Sequence, residues 1–345
     1  MKQKIVLIVG ILFMGFTTLS FAQDFENPVQ YMDYINKQQT NISKKFLSYN
    51  SAVSHGKRAR KVEKLRLKLL DEVQEAKMNI SSLIKYKGNG SYRDSTVNFL
   101  KFYFNLLNDD YAKIVNMEDI VEQSYDEMEA YINLQEQISA KLEDANKRIK
   151  EAEKQFAASN NVNLIETKSD IGNMLEKVGK VNKYFHQIFL IYYKPKYQES
   201  MLMKAIENKN ISGIEQNRSA LSKYAKEGLQ KLTEISAFDG DNSVKTACQQ
   251  LLNFYVKEAD EKTQVITDFI LTKEKFDKIK KDYENKSSPT KADVEAYNQG
   301  VNELNKGVAK YNENNNNLNT QRSELYKNWN KTEDSFFDDH TPVYK

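Results

Sequence analysis

The sequence runs to 345 residues, with 51 Lys and Arg against 48 Asp and Glu, and its formal net charge of +3 is too balanced for a nucleic-acid binder. The single cysteine, Cys248, rules out an intrachain disulfide, so burial must supply the stability. Four prolines and 12 glycines are too few punctuators for a β-rich fold, and the abundance of Lys, Glu, Asn, Gln and Leu suits helices.

Lys2 and Lys4 precede an apolar run from Ile5 to Phe16, and Ser20-Phe21-Ala22 places small residues where a signal peptidase cuts. Residues 1–22 therefore read as a signal peptide removed before Gln23. An uncleaved anchor is the alternative, but the run is short of the ~20 residues that span a bilayer. No cysteine lies near the cut, which closes the lipoprotein route. The expected product is exported, to the periplasm, the cell surface or the medium, and it carries no membrane-spanning segment.

The first helix is expected from about Val29 to Val53, with Tyr31, Ile35, Ile42, Phe46, Tyr49 and Val53 near one face. A second follows from about Lys57 to Tyr86 on a stripe of Val62, Leu65, Leu69, Val73, Ile80 and Leu83, and Gly88 stops it. Ser91 is the expected cap of a third helix, with Asp94 favourably placed at its positive end. Phe99, Tyr103, Leu106 and Ile114 line that helix. From about Met117 to Ser159, apolar residues from Tyr131 through Leu134, Ile138, Leu142 and Ile149 to Phe156 recur every three or four positions. Forty helical residues would extend ~60 Å, which suggests a rod with coiled-coil packing.

After Asn160–Asn163 the pattern restarts. A helix from about Ser169 to Glu207 contains Pro195, which should kink or split it. A helix from about Ser212 to Ser236 follows, and then the break at Gly240 to Ser243 opens another through Leu251, Tyr255 and Ile266. The last helix starts near Thr290 and carries Val301, Leu304, Val308, Tyr311, Asn315, Leu318, Arg322, Leu325 and Trp329 in phase. This phase passes through Asn314–Asn317, read either as helix with one polar core position or as a local fray.

Two stretches are alike. Lys87-Gly88-Asn89-Gly90-Ser91 leads to Phe99–Tyr103, and Asp239-Gly240-Asp241-Asn242-Ser243 leads to Leu251–Tyr255, 152 positions later. The expected fold is all-α: two tandem, related, elongated repeats resembling antiparallel four-helix bundles, over 23–163 and 164–337, with a loose tail over 338–345. The match needs about ten extra residues before the fourth helix of the second half.

Candidate sites are few. The glycine–serine turns lack the spacing of a phosphate loop. Asp239-Gly240-Asp241 lacks a calcium loop's ligand set, with Gln250 where the bidentate glutamate belongs. His55, His186 and His340 lack zinc-site spacing. No cofactor or metal is expected. Lys57, Arg58, Arg60 and Lys61 lead a basic run through Lys64, Arg66 and Lys68 that fits an anionic partner, or else a solvated face or one paired with Glu118, Asp119, Glu122, Asp126, Glu127 and Glu129. Around Pro195, Tyr184, Phe185, Phe189, Tyr192, Tyr193 and Tyr197 form an aromatic set that suits a sugar or lipid pocket, or a core.

Asn27-Pro28-Val29-Gln30-Tyr31, Gly90-Ser91-Tyr92-Arg93-Asp94 and Phe99-Leu100-Lys101-Phe102-Tyr103 resemble segments of an uncharacterised family of exported helical proteins of Gram-negative bacteria, the leptospiral-type surface proteins. The resemblance covers about residues 27–160. It implies an envelope or surface location and supplies no activity. The leading expectation is a non-catalytic exported protein that binds a partner protein or an envelope component. A carrier of a small apolar or sugar ligand near Pro195 is the second reading, and an envelope-acting hydrolase the third. Buried carboxylates converging in a cleft would favour the hydrolase.

Overall fold

The computed structural model describes residues 25–110, 125–165 and 169–344, and among these the fold is all-helical, with nine helices and no strand. The signal peptide expected over 1–22 lies outside the described residues, as do 111–124 and with them Ile114, Glu118, Asp119 and Glu122. No described helix is long and apolar enough to cross a membrane. The chain divides into two compact units, Met1–Lys183 with Phe337–Lys345, and Tyr184–Phe336. That division does not fall at Asn160–Asn163.

The first unit begins with α1 (Pro28–Ser54), which starts where the Asn27 carboxamide accepts from the Gln30 amide at 2.9 Å with Pro28 in the first turn. Next come α2 (Ala59–Ser81), α3 (Ser91–Asn105) with a π-helical turn Leu106–Asp110, and α4 (Tyr125–Ser159). α1 packs on α2, α2 on α3 and α3 on α4. The stripe on α2 is buried at Val62, Leu69, Val73 and Ile80, as its spacing requires, and Leu83 is buried just past the helix end. Phe156 of α4 closes the core, its ring 5.4 Å from Tyr31, 5.6 Å from Tyr86 and 5.4 Å from Tyr92.

The break before α3 differs from the sequence reading. α2 ends at Ser81, and a tight turn pairs Tyr86 with Asn89 across Lys87 and Gly88, whose φ values are 48° and 82°. Two successive left-handed residues make a hairpin-type turn, and glycine takes the second without strain. Ser91 is not the cap. The Asn89 side chain reaches the Ser91 amide at 2.9 Å, and Gly90 is the last residue before the helix.

The second unit takes up α5 (Asp170–Glu207) from Tyr184 onward, then α6 (Ile211–Glu234), α7 (Ser243–Lys257) with a π-helical turn Glu258–Lys262, α8 (Thr263–Glu284) and α9 (Lys291–His340). Pro195 is buried within α5 and does not split it. Phe238 pairs with Asp241 across Asp239 and Gly240, with φ values of 48° and 88°, and the Asp241 carboxylate takes the Ser243 amide at 2.7 Å. Phe336 of α9 lies 5.5 Å from Tyr184 and 5.5 Å from Phe238. The Cys248 thiol is wholly buried, and burial pushes its pKa up.

α9 opens on a capping box: the Thr290 amide donates to Asp293 Oδ2 at 2.8 Å and the Asp293 amide to Thr290 Oγ1 at 3.3 Å. It continues through Asn314–Asn317 without a fray. The polar core position is Asn314 rather than Asn315. Its side chain donates to the Lys262 carbonyl at 3.1 Å, an acceptor at the end of the π-helical turn. Asn314→Ala is expected to lower stability by about 1–2 kcal/mol by leaving that carbonyl unsatisfied. The urea midpoint of the variant reads this loss.

Over 338–344 the tail is not loose. α9 runs to His340, Thr341 is buried, His55 Nδ1 meets Asp338 at 2.7 Å, and the Tyr344 amide donates to Ser51 Oγ at 3.2 Å. The end of α1 supplies polar partners that fix these residues, which composition alone could not reveal.

Candidate functional site

Within the second unit, an ionic cluster forms where three elements present polar side chains to the core. Glu199 lies on the buried side of α5 and Glu258 opens the π-helical turn after α7, with exposures of 4% and 2%. Arg322 comes from α9, in the phase of the helix's apolar stripe. Its Nε donates to Glu199 Oε1 at 2.5 Å, a second guanidinium nitrogen donates to Glu258 Oε1, and a third reaches Asn319 Oδ1 at 2.5 Å. One turn further along α9, the Tyr326 hydroxyl donates to Glu199 Oε2. Because that proton is committed, the Tyr255 hydroxyl of α7, 2.9 Å from Tyr326, is the donor to Tyr326. The Phe254 ring packs 5.7 Å from the guanidinium carbon.

Burial and the facing Glu199 carboxylate push Glu258 up to about 8, against the pull of Arg322. Burial opposes the charge on Arg322, but the two carboxylates outweigh it and the net shift is upward. Tyr255 and Tyr326 are raised by burial and by Glu199, so both remain protonated donors.

Two carboxylates with one raised pKa form the pattern of an acid–base pair. Here, however, the pair lies inside the core. Both Glu199 oxygens accept internal donors, and neither carboxylate is more than 4% exposed to an incoming substrate. Arg322 supplies the cation between the two carboxylates. Among the described residues no group of three or more His, Cys, Asp or Glu side chains could hold a metal.

The aromatic set around Pro195 is brought together as packing. Tyr184, Phe185, Tyr192 and Tyr193 are buried, and Phe189 and Tyr197 half-buried. Tyr192 stacks on Trp329 at 4.2 Å, Phe189 on Tyr193 at 5.7 Å, and Phe185 lies 6.2 Å from Trp329. The rings fill the seam between α5 and α9.

The basic run separates into two parts. Arg66 is buried and held by Glu63 through bonds of 3.0 and 2.9 Å, so it belongs to the core. Lys57, Arg58, Arg60, Lys61 and Lys64 are exposed at the turn between α1 and α2 and the first turns of α2, and none forms an ion pair among the described residues. Of the acidic segment, Asp126 and Glu129 are exposed on α4.

The ionic cluster was not singled out by sequence reasoning. Its one visible signal was Arg322 in the apolar phase of α9, which demanded a buried acid elsewhere. Compared with family models, curated proteins and solved structures, the chain has no match.

Proposed function

We propose that this is a non-catalytic exported protein built from two related helical bundles, and that it binds an anionic envelope component through the corner formed by Lys57, Arg58, Arg60 and Lys61. One observation carries the binding reading: these cations are exposed at one corner without an ion-pair partner among the described residues. Like charges left together on a surface raise the local potential and attract polyanions. The fold does not need them, since 152 positions on stand Lys209, Asn210, Ser212 and Gly213.

Support for duplication comes from features that recur at one spacing. The bridged turns at Tyr86–Asn89 and Phe238–Asp241, the π-helical turns opening at Leu106 and Glu258, and the ion pairs Arg66–Glu63 and Arg218–Glu215 all differ by 152. Arg93 donates to the Leu83 carbonyl at 2.7 Å, and Lys245 to the Ile235 carbonyl at 2.6 Å, again 152 apart. The spacing grows to 180 between Phe156 and Phe336, so the second copy would carry 28 extra residues in its α8–α9 hairpin rather than about ten. The signal-peptide pattern and the resemblance to leptospiral-type surface proteins support export.

The test is binding to vesicles of anionic lipid and to an anionic polysaccharide at low and high salt. At about 1 kcal/mol per cation near an anionic surface, replacing Lys57, Arg58, Arg60 and Lys61 by Gln should weaken binding by ~100-fold or more at low salt. Equal binding by the wild type and the fourfold variant would sink the proposal.

A further inference from the structure

The second unit buries two carboxylates against one guanidinium. Glu199 and Glu258 face Arg322, and the hydroxyls of Tyr255 and Tyr326 that join them are neutral donors. Two further cations on packed elements are engaged elsewhere. Arg218 of α6 holds Glu215 at 2.6 Å and reaches the Ala259 carbonyl at 3.4 Å, while Lys226 holds Asp260 at 2.7 Å. Fully ionised, the cluster would carry one uncompensated negative charge in the core, which burial disfavours strongly.

The hydrogen bonds say where a compensating proton belongs. Glu199 accepts a donor on each oxygen, Arg322 on Oε1 and Tyr326 on Oε2, and both bonds favour its ionised form. Glu258 accepts Arg322 on Oε1 only. Its Oε2 is buried, and no N–H or O–H reaches it. We infer that Glu258 carries a proton on Oε2 at neutral pH, and that releasing it in mild alkali loosens α9 from α5 and α7, making the core of the second unit a pH-responsive latch.

The corresponding positions in the first unit are apolar: Phe46 by the 153 positions that separate Tyr31 and Tyr184, which meet Phe156 and Phe336, Leu106 by 152 and Leu142 by 180. An ionic core is therefore not what this arrangement of helices requires. The direction of the pH effect follows from the raised pKa of Glu258, about 8 in the folded chain against an ordinary 4.5. Between those values the folded chain binds a proton that the unfolded chain does not, so the stabilising contribution of this group falls as pH rises through the window and is gone above it.

The chain carries its own reporter. Trp329, its only tryptophan, lies two turns beyond Arg322 on the same face of α9 and stacks on Tyr192. With the full chain, tryptophan emission and the thermal midpoint are followed from pH 6 to pH 10. The wild type should show a falling midpoint and a change in emission centred near 8. Glu258→Gln, a neutral isostere of the acid, should hold both flat across that range. The infrared band of a protonated carboxyl should be present in the wild type at pH 7, fade with the same midpoint, and be missing from the variant. A wild type without that band, or a variant that titrates like the wild type, overturns the inference. Should Glu258→Gln not fold, the band in the wild type decides alone.

Discussion

Arg322→Leu is expected to destabilise the second unit by about 3–5 kcal/mol, the usual cost of removing one partner from a buried ionic group. Glu199 and Glu258, 4% and 2% exposed, would face each other without a cation, and Glu199 would keep only its bond from Tyr326. The loss should show as an earlier urea midpoint by Trp329 fluorescence, and it should shrink at low pH, where both acids take up protons. A midpoint equal to that of the wild type would mean the cluster contributes nothing.

A second variant separates the worth of the cluster from the damage of breaking it. Glu199→Phe, Glu258→Leu and Arg322→Leu together install the residues found at Phe46, Leu106 and Leu142 of the first unit. Replacing a buried ionic set by well-packed apolar side chains is often neutral or stabilising by about 1–4 kcal/mol. The triple variant should recover most or all of the stability lost in Arg322→Leu. Failure to recover would indicate that the two units have different cores at these positions and would weaken the case for duplication.

Phe156→Ala should cost the first unit about 3–5 kcal/mol, the range for deleting a buried aromatic ring. Phe156 is 4% exposed and its ring meets those of Tyr31, Tyr86 and Tyr92, so the void would open among side chains from α1, the turn before α3, and α3 itself. Phe156→Leu retains much of the volume and should cost less than half as much. Urea unfolding followed by near-ultraviolet tyrosine dichroism distinguishes the two. Equal midpoints for the Ala and Leu variants would show that Phe156 is not a keystone of this core.

Much of the fold was legible in the chain because helical burial repeats every three or four residues. The stripes on α1 and α2, the break at Gly88 and again at Gly240, and the start of the last helix near Thr290 all follow from local spacing. Errors gathered where one residue more or less changes the answer. Ser91 reads as the cap, but the helix begins at Ser91 itself after Gly90, and the Asn89 side chain takes the Ser91 amide. Asn314 and Asn315 are neighbours in a polar run, and the carbonyl of Lys262 chose Asn314. The tail after Phe337 looked loose until the end of α1 supplied its partners.

By itself, then, the sequence determined an all-helical chain, the faces its helices bury and the reliance on burial without crosslinks, because those properties depend on residues within a few turns of one another. The tertiary structure alone decided that Glu199, Glu258 and Arg322 meet, since they lie 59 and 64 residues apart along the chain and nothing local links them. A buried charge is tolerable only beside its partner, and which helices stand beside each other is a property of the packed fold.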